Sequence, residues 1–225
     1  MEKYYYKPEI EQELWQQLQE RLPDRIFDTH CHLYPAYVKG YPATGNRDAD
    51  VAFWKESMGR LTGEKRLTGA MIMSQIVAPE LVKTINEFVR SEAAKYPGFS
   101  VAHLITPEDD QEATEQLILD HPVITTLKPY FRYSPDQWSS TFDQFFPEWM
   151  AKLADRHHMS VTLHLARERE ALSDPKNYRL IQKYCEKYPQ MRLILAHNAL
   201  GHNVENLRKG LPHISGYPNI WFDSS

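Results

Sequence analysis

Cysteine is nearly missing from the sequence: Cys31 and Cys185 are the only two, and they lie far apart. Such a pair builds no disulfide framework of the kind that staples small secreted domains. Long apolar runs are missing too, and none approaches the ~20 residues of a membrane span. The opening Met1-Glu2-Lys3-Tyr4 is polar, without the apolar centre of a signal peptide. A soluble, cytoplasmic protein with no membrane partner is expected. Neither sign of charge dominates: 26 Lys and Arg stand against 30 Asp and Glu, a net charge of -4. The charges are spread along the chain, which excludes the basic footprint of a nucleic-acid binder. Low-complexity tracts and internal repeats are absent. What remains is an ordinary globular composition in 225 residues, enough for a substantial core in one large domain or two small ones. Histidine is the exception, with ten residues, more than chance supplies.

Two of these histidines close the stretch Ile26-Phe27-Asp28-Thr29-His30-Cys31-His32. It is short, rich in apolar and β-branched residues and followed by Pro35, which predicts a strand leading into a loop. Residues two apart on a strand share a face, so His30 and His32 would aim both imidazoles at one point, as a shared metal ion requires. A helix would set them about 200° apart. The plainer alternative is a strand that merely ends in two polar residues.

Along the rest of the chain, Ile10, Leu14, Leu18 and Leu22 form an i, i+4 stripe, predicting an amphipathic helix over 9–22 that stops at Pro23. Residues 33–50 are rich in Tyr, Pro and Gly and read as a long loop over whatever the histidines bind. Strands are expected at 25–32, 68–74, 99–105, 123–130, 160–165, 191–197 and from 219. Helices are expected at 51–61, 79–95, 142–157, 175–188 and 204–210, with a further start at Thr106-Pro107-Glu108-Asp109 by its capping hydroxyl, Pro and acids. Strands alternating with helices call for a parallel sheet, and apolar runs such as Leu193-Ile194-Leu195-Ala196 suit strands buried on both faces.

A doubly wound sheet and a (β/α)8 barrel both satisfy this alternation. His30, His32, Lys128, His164 and His197 fall at the C-terminal ends of separate predicted strands, and in a barrel those ends converge on one mouth. The expected fold class is therefore α/β, a (β/α)8 TIM-barrel type that is incomplete, with about seven strands, forming a single domain over 1–225. His164 and His197 are separated by about one ~30-residue βαβ repeat and so hold matching places on neighbouring strands. Each alone reads as a satisfied histidine near a strand end. As a set, imidazoles at several strand ends make a site for Zn²⁺ or a similar first-row cation.

Asp28-Thr29-His30-Cys31-His32, His164, Leu195-Ala196-His197 and Asn219-Ile220-Trp221-Phe222-Asp223-Ser224-Ser225 together resemble the amidohydrolase superfamily. The likeness is to its amidohydrolase-related, metal-dependent hydrolases of TIM-barrel fold, and it runs from about residue 25 to the end. It implies that His30, His32 and His164 bind a divalent metal, Zn²⁺ foremost and Mn²⁺ as the alternative. It implies further that His197 is catalytic, binding or orienting the metal-bound water or serving as another ligand. A bound metal lowers the pKa of its water toward ~7 and polarises the substrate. One departure stands out. The family places a metal-binding aspartate at the end of strand eight, whereas this sequence stops within strand seven. Asp223 lies on strand seven, and no catalytic role is carried over to it. A whole barrel typically takes ~250 residues, so a truncated chain is expected. Its open strand edge would call for a partner chain, which leaves homo-oligomerisation open.

The superfamily can carry a carboxylated lysine at the end of strand four, bridging two metals. For Lys128 the preferred reading is an acid-paired or substrate-holding lysine, with Tyr130 and Arg132, and Tyr133 beside them, binding an acidic or aromatic small molecule. His103 is assigned no role, His157-His158 is expected at a helix C-terminus, and His202-Asn203 at the start of the last helix. Three functions follow: a metal-dependent hydrolase of a small ester, lactone or amide; a non-oxidative decarboxylase of a small aromatic or unsaturated acid; or an inactive fragment.

Overall fold

The computed structural model describes residues 8–38, 47–166, 170–200 and 203–224. They carry seven strands whose order in the sheet follows the chain from β1 to β7, with helices between successive strands. This is the topology of an incomplete (β/α)8 barrel. The chain divides into two compact units, Met1–Val77 with Lys83–Ser100, and Ala78–Val82 with Val101–Ser225. Among the described residues no helix is long and apolar enough to cross a membrane.

In the first unit, α1 (Pro8–Leu18) is shorter than the periodicity predicts, because the chain turns at Leu18, whose carbonyl accepts from both Arg21 and Leu22. Its stripe is also not the docked face: Ile10, Leu14 and Leu18 are each more than 40% exposed, while Trp15 packs at Gly63 under the Arg66 guanidinium. Strand β1 (Ile26–Leu33) pairs in parallel with β2 (Leu67–Ser74). Between them, α2 (Val51–Thr62) starts at Asp50, whose side chain accepts from the Phe53 amide. From Ala70 onward β2 is buried throughout, as a two-sided parallel strand must be. Gly69 sits at φ 152, and a Cβ there would fall 1.9 Å from the Gly98 carbonyl oxygen, so only glycine admits this approach. A 3-10 turn at Pro79–Leu81 precedes α3 (Val82–Ala94), splitting the single helix expected there.

The second unit carries β3 (Ser100–Ile105), β4 (Ile124–Pro129), β5 (Ser160–Leu163), β6 (Arg192–Leu195) and β7 (Ile220–Phe222), each parallel to the next. Thr106 is not the helix cap that its sequence suggests. Its amide and hydroxyl both donate to Asp109, and α4 (Gln111–Asp120) starts on an Asp110 cap, four residues beyond Thr106. The helix expected over 142–157 is broken: α5 (Phe142–Phe145) ends at Phe146, whose backbone the following Pro147 holds out of the helical region, and α6 (Glu148–Arg156) begins anew. Phe142, Phe145, Phe146 and Tyr184 of α7 (Pro175–Lys187) form a fully buried aromatic cluster. His157 caps the end of α6, as expected, and bonds Glu115 at 2.6 Å. The final helix, Val204–Ile214, is capped by Asn203 through the amides of Glu205 and Asn206, and His202 lies outside the described residues.

Candidate functional site

The first unit supplies the histidine pair. Strand β1 does not run evenly against β2: Asp28 lies opposite Ala70 but Cys31 opposite Ile72, so three steps on one strand meet two on the other. Such a bulge re-aims side chains. The Asp28 carboxylate spans it, one oxygen accepting from the His30 amide at 3.0 Å and the other from the Trp54 indole N–H at 2.8 Å. His32 Nδ1 lies 2.8 Å from the Ser74 carbonyl oxygen, which only accepts, so Nδ1 carries a proton and Nε2 presents the lone pair. The Nε2 atoms of His30 and His32 stand 3.1 Å apart, with His30 as the donor in that contact. Cys31, between them, is buried, and burial and then the Asp28 charge raise its thiol pKa.

This geometry suits one divalent ion. Two nitrogens 3.1 Å apart, each about 2.0–2.1 Å from a zinc ion, would subtend roughly 100° at it, between octahedral and tetrahedral demands. Binding requires His30 to give up the proton that it donates to His32, so metal uptake releases a proton or moves it to Nδ1. The carbonyl holding His32 by its other nitrogen is the outer support that metal-binding histidines ordinarily have.

The second unit supplies His164, His197, Lys128 and an aromatic loop. His164 follows β5, bridges Tyr130 across the sheet and donates Nδ1–H to the Leu165 carbonyl at 3.0 Å. Tyr130, Phe131 and His197 set their rings around it, with centroids 5.2, 5.3 and 5.1 Å away. His197 does not end a strand as expected. Strand β6 stops at Leu195, and His197, Asn198 and Ala199 all adopt left-handed backbone, φ 52–56. Each such non-glycine residue costs roughly 1–2 kcal/mol, so the turn persists only because other groups over-determine it. Asp223 is the chief of these: its carboxylate accepts the His197 amide at 2.8 Å and its main-chain carbonyl the Asn198 amide at 2.7 Å. The Asn206 side chain adds a bond to the Ala199 carbonyl, 3.3 Å.

Lys128 is 2% exposed on β4, and burial lowers its ammonium pKa to about 8, against a smaller opposing pull from Asp223. Tyr130 and Tyr133 are buried, whereas Arg132 is exposed, its guanidinium 5.7 Å over the Trp138 ring. The Ser134 and Ser140 hydroxyls bond each other and staple this loop shut, Ser134 also donating to the Phe131 carbonyl. Among the described residues no group of three or more His, Cys, Asp or Glu is placed to hold a metal ion. Asp28, Trp54, Ser74 and Asp223 gain structural parts in the site that the sequence did not assign. Only Asp28 carried a legible signal, an acid two residues before a histidine in a strand.

No family model and no curated protein matches the sequence. Solved structures do. An uncharacterized TIM-barrel protein from Bordetella bronchiseptica aligns with TM-score 0.59 at 11% identity, over 89% of this chain and 75% of that one. A 5-carboxyvanillate decarboxylase from Novosphingobium aromaticivorans, complexed with manganese and 4-hydroxy-3-methoxy-5-nitrobenzoic acid, aligns with TM-score 0.56 at 14% identity, over 85% of this chain and 70% of that one. A putative amidohydrolase from Staphylococcus aureus aligns with TM-score 0.52 at 13% identity, over 88% and 78%. The fold is thus one that both amidohydrolases and decarboxylases use.

Proposed function

We propose that this chain is a metal-dependent enzyme of the amidohydrolase type that hydrolyses a small ester, lactone or amide. The observation that carries the reading is the convergence of the His30 and His32 Nε2 atoms at 3.1 Å with His32 tethered behind by Ser74. His30 and His32 are the proposed ligands of a Zn²⁺ or Mn²⁺ ion. The motif resemblance implies His164, which follows β5, as a third ligand. A divalent ion there supplies Lewis acidity and a water that ionises near neutral pH. The remaining work falls to the chain. His197, fixed by its left-handed turn, accepts and returns a proton at its ring. Lys128, held dry, places an ammonium or a neutral amine according to pH, and Tyr130 shapes the floor beside His164.

A second reading, non-oxidative decarboxylation of an aromatic or unsaturated acid, is favoured by the loop after β4. Its Trp138 is 40% exposed, and Arg132 lies over the ring, a flat apolar surface beside a cation, as an aromatic carboxylate would require. Incubation of the zinc- or manganese-loaded chain with a panel of esters, lactones, amides and aromatic acids separates the two. Acid release without CO₂ supports hydrolysis, and CO₂ release without hydrolysis supports the second reading. Neither product, from protein shown to hold metal, overturns both.

A further inference from the structure

We infer that Asp28 is the positioning residue of the histidine pair: its carboxylate holds the bulge that aims His30, and Trp54 holds the carboxylate. The inference rests on the reading that His30 and His32 bind a divalent ion, and it says how this chain keeps that pair ready.

The two imidazoles are held by different devices. His32 is oriented through its ring, by the Ser74 carbonyl. For His30 the orientation comes through the backbone. At the bulge in the register with β2, the His30 amide donates to a side chain. Asp28 Oδ1 is the acceptor, at 3.0 Å. A carboxylate free to rotate would hold that amide only part of the time, but Oδ2 is fixed at 2.8 Å by the Trp54 indole. Trp54 is itself 5% exposed on α2 and packs edge-on against Phe99, ring centroids 5.2 Å apart. Its N–H is therefore rigidly placed. A chain of contacts runs from the core through Trp54 and Asp28 to the His30 backbone, and with it to the position of the His30 ring. Even a slackening too small to unfold the strand would widen the 3.1 Å separation of the two Nε2 atoms and spoil their shared aim.

Outer groups that orient metal-binding histidines cost typically 10–100-fold in metal affinity when removed. The test uses the full chain as wild type, Asp28→Asn, Asp28→Ala and Trp54→Phe. Two readouts are taken: the nuclear Overhauser contact between the His30 and His32 ring protons in metal-free protein, and the zinc dissociation constant by calorimetry. Asp28→Ala is expected to lose the contact and weaken zinc 10–100-fold. Asp28→Asn retains an acceptor for the His30 amide but faces the indole with an amide group, so it falls between. Trp54→Phe shifts both readouts in the same direction, less far. The contact between the His164 and His197 rings stays unchanged in all of them as the measure of an intact fold. Should Asp28→Ala fail to fold, Asp28→Asn and Trp54→Phe decide. Variants that keep both the His30–His32 contact and wild-type zinc affinity overturn the inference. If wild type binds no zinc while Asp28→Ala still loses the ring contact, the positioning role stands and the metal reading falls.

Discussion

Replacing Lys128 by Met should change how stability depends on pH. Methionine keeps most of the stem and removes the ionisable head. In the folded chain Lys128 is buried on β4 and its pKa is lowered from 10.5 to about 8, desolvation outweighing the pull of Asp223. A displacement of that size corresponds to about 3 kcal/mol of preference for the neutral amine. The folded state binds fewer protons than the unfolded one between the two pKa values, so stability rises with pH across that interval. Below about pH 8 the buried charge exerts its full cost, and above about 10.5 the cost is gone. Urea unfolding of wild type and Lys128→Met at matched pH from 6.5 to 10.5 isolates the effect, since every other group cancels in the difference. The wild type should gain about 3 kcal/mol relative to the variant over that range. Parallel stability curves would refute the claim that Lys128 is charged at a desolvation cost.

Three further outcomes follow from the packing. Gly69→Ala should destabilise beyond about 4 kcal/mol or abolish soluble expression, because its Cβ would lie 1.9 Å from a carbonyl oxygen; thermal unfolding checks it. Asn219→Ala removes a buried amide lying 3.1–3.4 Å from the Cys185, Tyr188 and Met191 carbonyls, and should cost about 1–3 kcal/mol by denaturant titration. Asp223→Ala takes the acceptor from the His197 amide and should speed exchange of the 197–199 amides. It should also lower the Lys128 pKa further, since Asp223 raises it, which the pH dependence of lysine labelling reports.

The parallel alternation was legible because strands such as β2 and β6 are largely apolar runs, β2 buried from Ala70 onward, and a helix such as α7 carries proline and a capping residue at its start. The convergence of His30 and His32 was legible as well, since side-chain alternation along β1 brings i and i+2 together despite the bulge. Position 197 was not. A histidine following Leu-Ala looks like the end of a strand, and the left-handed turn there is held from 26 residues away by Asp223, a partner that local sequence cannot name. The stripe on α1 misled for a related reason. Periodicity identifies an apolar face, but the helix docks through Trp15 instead. Asp28 sat in plain view within the motif, yet its role depends on Trp54, contributed by a different element.

Metal content tests the central claim most directly. The purified chain, equilibrated with Zn²⁺ and then desalted, is assayed by elemental mass spectrometry beside folded His30→Ala protein. The account predicts about one equivalent bound to wild type and little or none to the variant, which has lost one of the two converging imidazoles. Wild type that is folded yet binds no zinc or manganese, or a variant that holds as much metal as wild type, would contradict it.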